Sequence, residues 1–370
     1  MAYVGALEIE RKDPGVALRR LPAWTRPQIP DLFMDVMVQM PSGVRLRFAT
    51  DSTTVELDIQ QTMLRVLPNA LVSSPFDLVV DGELAGTVRS DVGHLITLDL
   101  RQPDDIAFDL GEPTTIRFDG LATGTKVVEL WLPQRATLDL LALRVDDGAT
   151  VEAAPPDERR RWVHYGSSIS HCFEADSPTT TWPAVAARLG GVDLQSLAFA
   201  GQCQLDPFVA RTIRDLPADV ISLKVGINLV NADSMRDRTF GSALHGFLDT
   251  IRDGHPDTPL LVVSPIFCPS AETHPGPTVP NRDGKFVTRP GLDELRLTCL
   301  TLTKVRAAID AIVGARRASD PNLHVLDGLT LFGPADAGDL PDDLHPNAAG
   351  YVRMGERFAA AAFAAGGPLA

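Results

Sequence analysis

Basic residues are scarce in this chain relative to acidic ones. Its 370 residues include 34 lysines and arginines against 48 aspartates and glutamates, which gives a formal net charge of -14 at pH 7. An acidic protein gains nothing from the counterion release that drives nucleic-acid binding. The sequence also has no basic cluster for an anionic membrane surface. We therefore expect neither nucleic acid nor membrane among its partners.

Cysteine is also rare. The four cysteines are Cys172, Cys203, Cys268 and Cys299. They lie far apart and form no Cys-x-x-Cys pair, which argues against structural zinc and against a dense disulfide framework. We expect no bound metal, and a reduced, cytoplasmic protein is the default interpretation.

Long apolar runs are missing as well. The first ten residues, MAYVGALEIE, lack the basic and apolar regions of a secretory signal peptide. No uninterrupted apolar run is long enough to span a bilayer. Hydrophobic residues nevertheless make up 44% of the chain. This content and length are sufficient for the cores of about two domains.

The first part of the chain has the period of two that is typical of β-strands. Segments 44–50 and 54–59 alternate apolar with polar side chains. Turn pairs such as Asp81-Gly82 separate the predicted strands. Further strands are predicted at 76–80, 94–100, 115–118, 126–132 and 136–145. The pattern predicts an all-β sandwich, jelly-roll-like, over residues 1–150.

The second part of the chain has a different pattern. Residues 151–160, VEAAPPDERR, are polar and include a Pro-Pro pair, so we predict a linker there. Beyond it, short apolar strands alternate with segments of helical period, which indicates βαβ units. We predict an α/β domain over residues 161–370, with five parallel strands in flavodoxin-like order covered on both faces.

One long segment of this second domain has no period. Residues 267–290 are rich in proline and glycine and follow the fourth predicted strand. Structureless loops of this length are often lids or binding loops. We expect this segment to shape a substrate pocket, with Phe267 as a possible lining residue. His171 is a second possible lining residue.

A serine and a histidine motif could together carry nucleophilic chemistry. Ser168 follows the first strand of the α/β domain, where open sheets of this type bind their ligands. A serine hydroxyl needs a base, and an imidazole needs a carboxylate to fix its tautomer. Asp342 and His345 supply both groups within one short segment. Asp343 is the alternative carboxylate, and the alternative bases are His164, His171 and His324.

Two further positions could stabilise an oxyanion. Gly201 follows the second strand and Asn228 follows the third, on the edge where Ser168 is expected. The N–H groups of Ser168 and Gly201 and the side-chain amide of Asn228 could then donate to the same developing oxyanion.

These four segments resemble the blocks of the SGNH, or GDSL, hydrolases. Ser168, Gly201, Asn228 and His345 match the four residues that name the family, and Asp342 completes its Ser-His-Asp triad. The segment 342–350, DDLHPNAAG, is the most specific match. The family usually has aspartate before the serine and after the asparagine. This chain has Ser167 and Leu229 there, which removes two partners that support local hydrogen bonds.

The order of the two domains resembles a subset of actinobacterial proteins in which a β-sandwich precedes an SGNH domain. That subset includes carbohydrate esterases and an acyltransferase that moves an aromatic acyl group from coenzyme A to a tetracycline-type polyketide. The resemblance implies serine-dependent acyl transfer through an acyl-enzyme, either to water or to an alcohol of a small molecule. It implies no cofactor, with acyl-CoA as a possible donor substrate.

Two alternative functions are compatible with the same sequence. The first is a carbohydrate O-acetyl esterase. The second belongs to another class, a non-catalytic carbohydrate-binding protein with an inert SGNH domain, and the altered positions Ser167 and Leu229 motivate it. The intact Ser168, Asp342 and His345 argue against this second alternative.

Overall fold

The structure, a computed structural model, describes residues 1–99 and 102–370. The chain divides into two compact units, residues 1–158 with 176–180 and residues 159–175 with 181–370. Every helix among the described residues is too short or too polar to cross a lipid bilayer.

The first unit consists mainly of β-strands. They are β1 (Ala2–Val4), β2 (Glu8–Arg11), β3 (Val16–Arg19), β4 (Arg45–Thr50), β5 (Val55–Val66), β6 (Ser74–Val80), β7 (Glu83–Ser90), β8 (His94–Asp99), β9 (Gln102–Asp109), β10 (Thr114–Phe118), β11 (Lys126–Trp131), β12 (Ala136–Val145) and β13 (Val151–Glu152). One sheet has the order β1-β4-β11-β6-β7, with β13 also paired to β4. The other has the order β2-β3-β12-β5-β8-β9, with β10 also paired to β5.

Apolar side chains of both sheets share one core. On β5, the alternate residues Val55, Leu57 and Ile59 are buried, because successive side chains of a strand point to opposite faces. Leu46 and Phe48 of β4 contribute from the other sheet. The predicted β-rich N-terminal domain is therefore confirmed.

Several elements of this unit were not predicted. Helix α1 (Leu32–Gln39) begins after Asp31, whose side chain accepts a hydrogen bond from the Met34 N–H. The short strands β1 to β3 and the mostly exposed strand β7 also escaped prediction, because few or no positions alternate clearly. The last residue of the predicted strand 94–100 lies outside the described residues. Within the predicted linker, Val151–Glu152 pairs with β4 instead of remaining an open spacer.

The second unit alternates strands with helices. Its strands are β14 (Arg160–Gly166), β15 (Val192–Ala198), β16 (Val220–Lys224), β17 (Leu260–Val263), β18 (Thr278–Pro280), β19 (Phe286–Thr288) and β20 (Leu323–Leu326). Its helices are α2 (Ser168–His171), α3 (Trp182–Gly190), α4 (Pro207–Asp215), α5 (Ile227–Asn231), α6 (Asp237–Arg252), α7 (Leu302–Arg316) and α8 (Ala348–Phe358). A single π turn, Ala359–Phe363, follows α8.

Five of these strands form one parallel sheet in the order β15-β14-β16-β17-β20. When these five strands are numbered by their order along the chain, their order across the sheet is 2-1-3-4-5, which confirms the predicted flavodoxin-like order. Every residue of β16 and β17 is buried, as expected for a parallel sheet covered on both faces.

The segment 267–290 differs from its prediction as a structureless loop. It contains an antiparallel hairpin of β18 and β19, in which Thr278 pairs with Thr288 and Pro280 with Phe286. The Thr288 hydroxyl donates to the Ser270 carbonyl at 2.7 Å and ties the hairpin to the start of the segment. Strands of three residues are too short to give a readable period, so the pattern did not predict them.

The register of the parallel sheet brings three strand ends together. Gly166, at the end of β14, lies beside Ala198 of β15 and Lys224 of β16. Ser168, Gly201 and Asn228 follow these three strands along the chain. The sheet therefore carries the three segments at one edge, as the sequence predicts.

Candidate active site

Ser168 is the first residue of the one-turn helix α2, directly after β14. The Ser167 hydroxyl accepts a hydrogen bond from the Ile169 N–H at 3.3 Å and caps this turn. The helix ends at Cys172, which adopts a left-handed conformation with φ 61°. The N–H of Ser168 lies at a position where a helix offers no internal acceptor, so it is available to a ligand.

A chain of hydrogen bonds between buried side chains supports this turn from the interior of the unit. The Trp162 indole N–H donates to the Ser222 hydroxyl at 2.8 Å, and Ser222 Oγ lies 2.7 Å from His164 Nδ1. The other ring nitrogen, Nε2, lies 2.9 Å from the Ser170 hydroxyl. Burial and the nearby charge of Lys224 lower the pKa of His164 to about 3. His164 is thus a neutral residue that orders the turn, and not the alternative base.

Asp342 organises the turn that presents His345. Its Oδ1 accepts the N–H groups of Leu344 at 2.9 Å and His345 at 2.7 Å. Its Oδ2 lies 2.6 Å from His345 Nδ1. Asn347 then caps α8, its side chain accepting the Gly350 N–H.

Ser168 and His345 meet across this edge. His345 Nε2 lies 2.9 Å from Ser168 Oγ, which is hydrogen-bond distance. With Nδ1–H donating to Asp342, the lone pair of Nε2 faces the serine hydroxyl. We call Ser168, His345 and Asp342 the Ser-His-Asp chain. This arrangement can take a proton from Ser168 while a carboxylate holds the imidazole in place.

The charges around His345 favour its protonated form. Burial opposes protonation, but the charge of Glu174 and the hydrogen bond and charge of Asp342 outweigh it and raise the pKa of His345 to about 9. For Asp342, burial opposes ionisation, whereas hydrogen bonds from His345 and Leu344 and the charge of His345 leave its pKa below the usual value. His345 is therefore a stronger base than an ordinary histidine.

The two oxyanion positions have suitable donors. The Asn228 side-chain oxygen accepts the Cys203 N–H at 3.0 Å, which leaves the amide NH₂ end to donate elsewhere. Gly201 has φ 71°, and among the described residues its N–H donates to no acceptor. Gly226, just before α5, has φ 113°, and a Cβ there would lie 2.4 Å from the Val305 side chain. Glycine is thus required in the turn that carries Asn228.

The other sequence-predicted candidates lie elsewhere. Asp343 forms an ion pair with Lys285 at 3.2 Å, whereas the carboxylate that contacts the His345 ring belongs to Asp342. His324 lies within the outer strand β20, paired with Leu261, and not at the carboxyl edge. His171 is fully buried, with Nδ1 3.3 Å from the Ala198 carbonyl. Those positions do not support His171 or His324 as the base.

Segment 267–290 does reach the Ser-His-Asp chain, but through a residue that was not predicted. Phe267 is partly buried and donates its N–H to the Phe332 carbonyl at 3.0 Å. Phe286 instead lies edge-on to His345, with ring centroids 5.5 Å apart. Its N–H donates to the Asp342 carbonyl at 2.8 Å. An apolar residue within a polar segment was the only signal in the sequence for Phe286.

Sequence reasoning also missed Glu174. Its Oε1 lies 3.8 Å from His345 Nδ1, and its Oε2 accepts a hydrogen bond from the Tyr351 hydroxyl at 2.8 Å. Glu174, Asp342 and His345 are the one group among the described residues with enough clustered ligand atoms for a metal ion. Because these atoms are hydrogen-bonded to one another and to Tyr351, we interpret the group as the Ser-His-Asp chain with a second carboxylate.

All four cysteines are buried free thiols. Burial raises the pKa of Cys172 well above its usual value and that of Cys203 to about 12. Lys224 lies in the same interior, and burial lowers its pKa to about 8. Cys203 is thus an unreactive buried thiol.

Fold and site together define an SGNH-type hydrolase domain: a parallel sheet of order 2-1-3-4-5 with serine after its first strand and Asp-x-x-His before its last helix. Residues 164–353 match the GDSL-like lipase/acylhydrolase family, and residues 1–141 match the SsfX3 N-terminal domain. The chain belongs to the GDSL-like lipase/acylhydrolase family. It is an enzyme of the GDSL type, which acts in acyl transfer or hydrolysis.

Solved structures resemble the chain over nearly its whole length. The salicylyl-acyltransferase SsfX3 from a tetracycline biosynthetic pathway is 32% identical, with a TM-score of 0.80 over 96% of this chain and 92% of that one. A putative GDSL-like lipase from Bacteroides ovatus is 20% identical, with a TM-score of 0.69 over 97% and 93%. An active-site mutant of a family two carbohydrate esterase from Clostridium thermocellum is 16% identical, with a TM-score of 0.60 over 97% and 96%. The Bacteroides ovatus and Clostridium thermocellum proteins share the fold of this chain. A search of curated proteins gave no match.

The pKa of His345 predicts how the reactivity of Ser168 depends on pH. Only the neutral imidazole accepts the serine proton, so reactivity should rise with pH through about 9. The measurement is the labelling rate of Ser168 by a fluorophosphonate between pH 6 and about 10, followed by intact-protein mass and corrected for probe hydrolysis. His345→Ala should remove the pH-dependent rise. A wild-type rate that does not change over this range would contradict the assignment of His345 as the base.

Proposed function

We propose that this protein transfers an acyl group through a covalent ester on Ser168. The observation that carries the proposal is the continuous hydrogen-bonded chain from Ser168 to His345 at 2.9 Å and from His345 to Asp342 at 2.6 Å. A hydroxyl, an imidazole and a carboxylate in this order are the parts needed to activate a serine nucleophile.

The first half-reaction forms the acyl-enzyme. His345 Nε2 takes the proton of Ser168 as Oγ attacks the carbonyl carbon of an ester or thioester. The carbonyl oxygen becomes an oxyanion, to which the N–H groups of Ser168 and Gly201 and the amide of Asn228 donate. When the intermediate collapses, the alcohol or thiol leaves with the proton from His345, and the acyl group remains on Ser168.

The second half-reaction releases the acyl group from Ser168. His345 takes a proton from the acceptor, water or an alcohol, whose oxygen attacks the acyl carbon. Collapse returns the proton to Ser168 and frees an acid or a new ester. Asp342 stays ionised throughout and stabilises the imidazolium that forms twice in the cycle.

We propose an acyl thioester such as acyl-CoA as donor and an alcohol of a small molecule as acceptor. The similarity to the salicylyl-acyltransferase supports this choice, because 32% identity extends over 96% of the chain and includes the N-terminal domain. An aromatic acyl group is the first donor to test. Hydrolysis of a simple ester is the second candidate, since water can replace the alcohol in the same cycle.

Segment 267–290 forms one wall of the proposed substrate site. Phe286 places an aromatic ring beside His345, next to where a leaving group or acceptor must exchange its proton. Phe267 and His171 remain proposed lining residues of lower priority, because Phe286 is the residue of this set with a ring contact to His345.

Removal of the nucleophile should abolish turnover. We expect Ser168→Ala to lower the hydrolysis rate of an activated aryl ester at least roughly 10⁴-fold, because the acyl-enzyme no longer forms. Ser319→Ala, the same substitution at an exposed serine of the same unit, is the control and should keep the wild-type rate. Wild-type turnover by Ser168→Ala would refute the mechanism.

Asn228 should contribute mainly to the transition state. Asn228→Ala is expected to cost about 3 kcal/mol in the barrier, the usual size for one oxyanion donor. Asn228→Asp keeps an acceptor for the Cys203 N–H but loses the amide donor, so it should be at least as impaired. The test is to measure kcat of both variants, with their thermal unfolding as a check that they are folded. A kcat near wild type for Asn228→Asp would exclude the amide as a donor.

Transferase and hydrolase differ in the lifetime of the acyl-enzyme. With an aromatic acyl-CoA, intact-protein mass spectrometry should show an adduct on wild type that is absent from Ser168→Ala. A transferase adduct persists in water and decays faster when an acceptor alcohol is added, as the product ester appears. Decay at the same rate with and without alcohol, yielding only free acid, would identify an esterase instead.

A further inference from the structure

Glu174 lies close to His345 although it is outside the four sequence blocks. The left-handed residue Cys172, φ 61°, ends α2 and turns the chain after one helical turn. Glu174 follows this turn, and its Oε1 comes to 3.8 Å from His345 Nδ1. Its side chain is one-third exposed, at 33%. The same nitrogen already donates to Asp342 at 2.6 Å, so two carboxylates face one side of a single imidazole.

Tyr351 holds the second carboxylate in place. It lies in the first turns of α8 and is fully buried, and its hydroxyl donates to Glu174 Oε2 at 2.8 Å. Burial and the charge of Glu174 raise the pKa of Tyr351 well above its usual value, so the hydroxyl stays a donor. One oxygen of Glu174 is therefore anchored while the other faces His345.

The other neighbours of His345 do not cancel this charge. Phe286 is apolar and lies edge-on to the imidazole. Lys285, which precedes Phe286 in the chain, is paired with Asp343 at 3.2 Å. Glu174 and Asp342 are the charged groups that shift the protonation of His345, and burial of the ring opposes both.

We propose that Glu174 is a positioning residue for His345, a second carboxylate that Tyr351 anchors and that stabilises the imidazolium formed when Ser168 loses its proton. The inference rests on the proposed function of Ser168 and His345. It assigns Glu174 a role that a Ser-His-Asp chain alone does not include. Asp342 sets the orientation of the ring through a direct hydrogen bond, whereas Glu174 acts through charge across 3.8 Å.

Glu174→Gln tests this role, because it removes the charge and keeps the shape. The pKa of His345 should fall, so the midpoint of the rise in fluorophosphonate labelling should move to lower pH by on the order of one unit. The rate on the high-pH plateau should also fall, since a weaker base takes the serine proton less readily. Glu174→Ala gives a second measure of the same shift.

Three variants serve as controls. Glu356→Gln makes the same charge change at an exposed site on α8 and should leave the pH profile unchanged. Tyr351→Phe removes the anchor but keeps the charge, so its midpoint should lie above that of Glu174→Gln. Glu174→Asp keeps the charge on a shorter side chain, so its labelling midpoint should lie between those of the wild type and Glu174→Gln.

A direct titration separates this inference from the proposed function. The ring nitrogens of His345 can be followed by ¹⁵N NMR in Ser168→Ala, with and without Glu174→Gln. A lower His345 pKa in the double variant supports the role of Glu174 even if Ser168 proves unreactive. The inference would be overturned if His345 titrated with the same pKa in both variants, or if Glu174→Gln left the midpoint of the labelling profile unchanged. Labelling of Ser168 would still test the nucleophile separately.

Discussion

The hydrogen bond between Ser168 and His345 joins side chains that are 177 residues apart in the sequence, and the proposed chemistry depends on it. The bond is formed by two segments that are each positioned before they meet. The end of β14 and the buried His164 hold the serine turn, and the Asp342 carboxylate holds the histidine turn by accepting the main-chain N–H of His345. A misplacement of about 1 Å can cost roughly 100-fold in rate. The parallel sheet is therefore the frame that keeps this distance short.

Two departures from the usual family motif are compensated locally. Ser167, in place of aspartate, caps the nucleophile turn by accepting the Ile169 N–H. Leu229 offers no carboxylate to Asn228, and the Cys203 N–H orients the amide instead. In both places a main-chain N–H forms a hydrogen bond to a short polar side chain. The geometry of the site is thus preserved with fewer charges than the motif usually carries.

Local sequence patterns predicted the parts of the structure that depend on local rules. The apolar strands of the second unit and the Asp342 turn follow from short segments. The 2-1-3-4-5 order was inferred instead from the alternation of strands and helices along the whole unit. The hairpin in segment 267–290 did not, because three-residue strands have no measurable period. Glu174 was also missed, since its contact with His345 requires the left-handed turn at Cys172 and the packing of α8. Such long-range contacts leave no periodic or motif signal in one sequence.

The buried thiols have a consequence for chemistry with activated acyl groups. Thioesters exchange readily with thiolates, and a thiolate near the bound donor would capture the acyl group in a competing side reaction. Cys172 lies one helical turn after Ser168, yet burial keeps it and Cys203 protonated far above neutral pH. Both thiols are therefore held as unreactive S–H groups, which would leave the proposed Ser168 oxygen nucleophile without a competing thiolate.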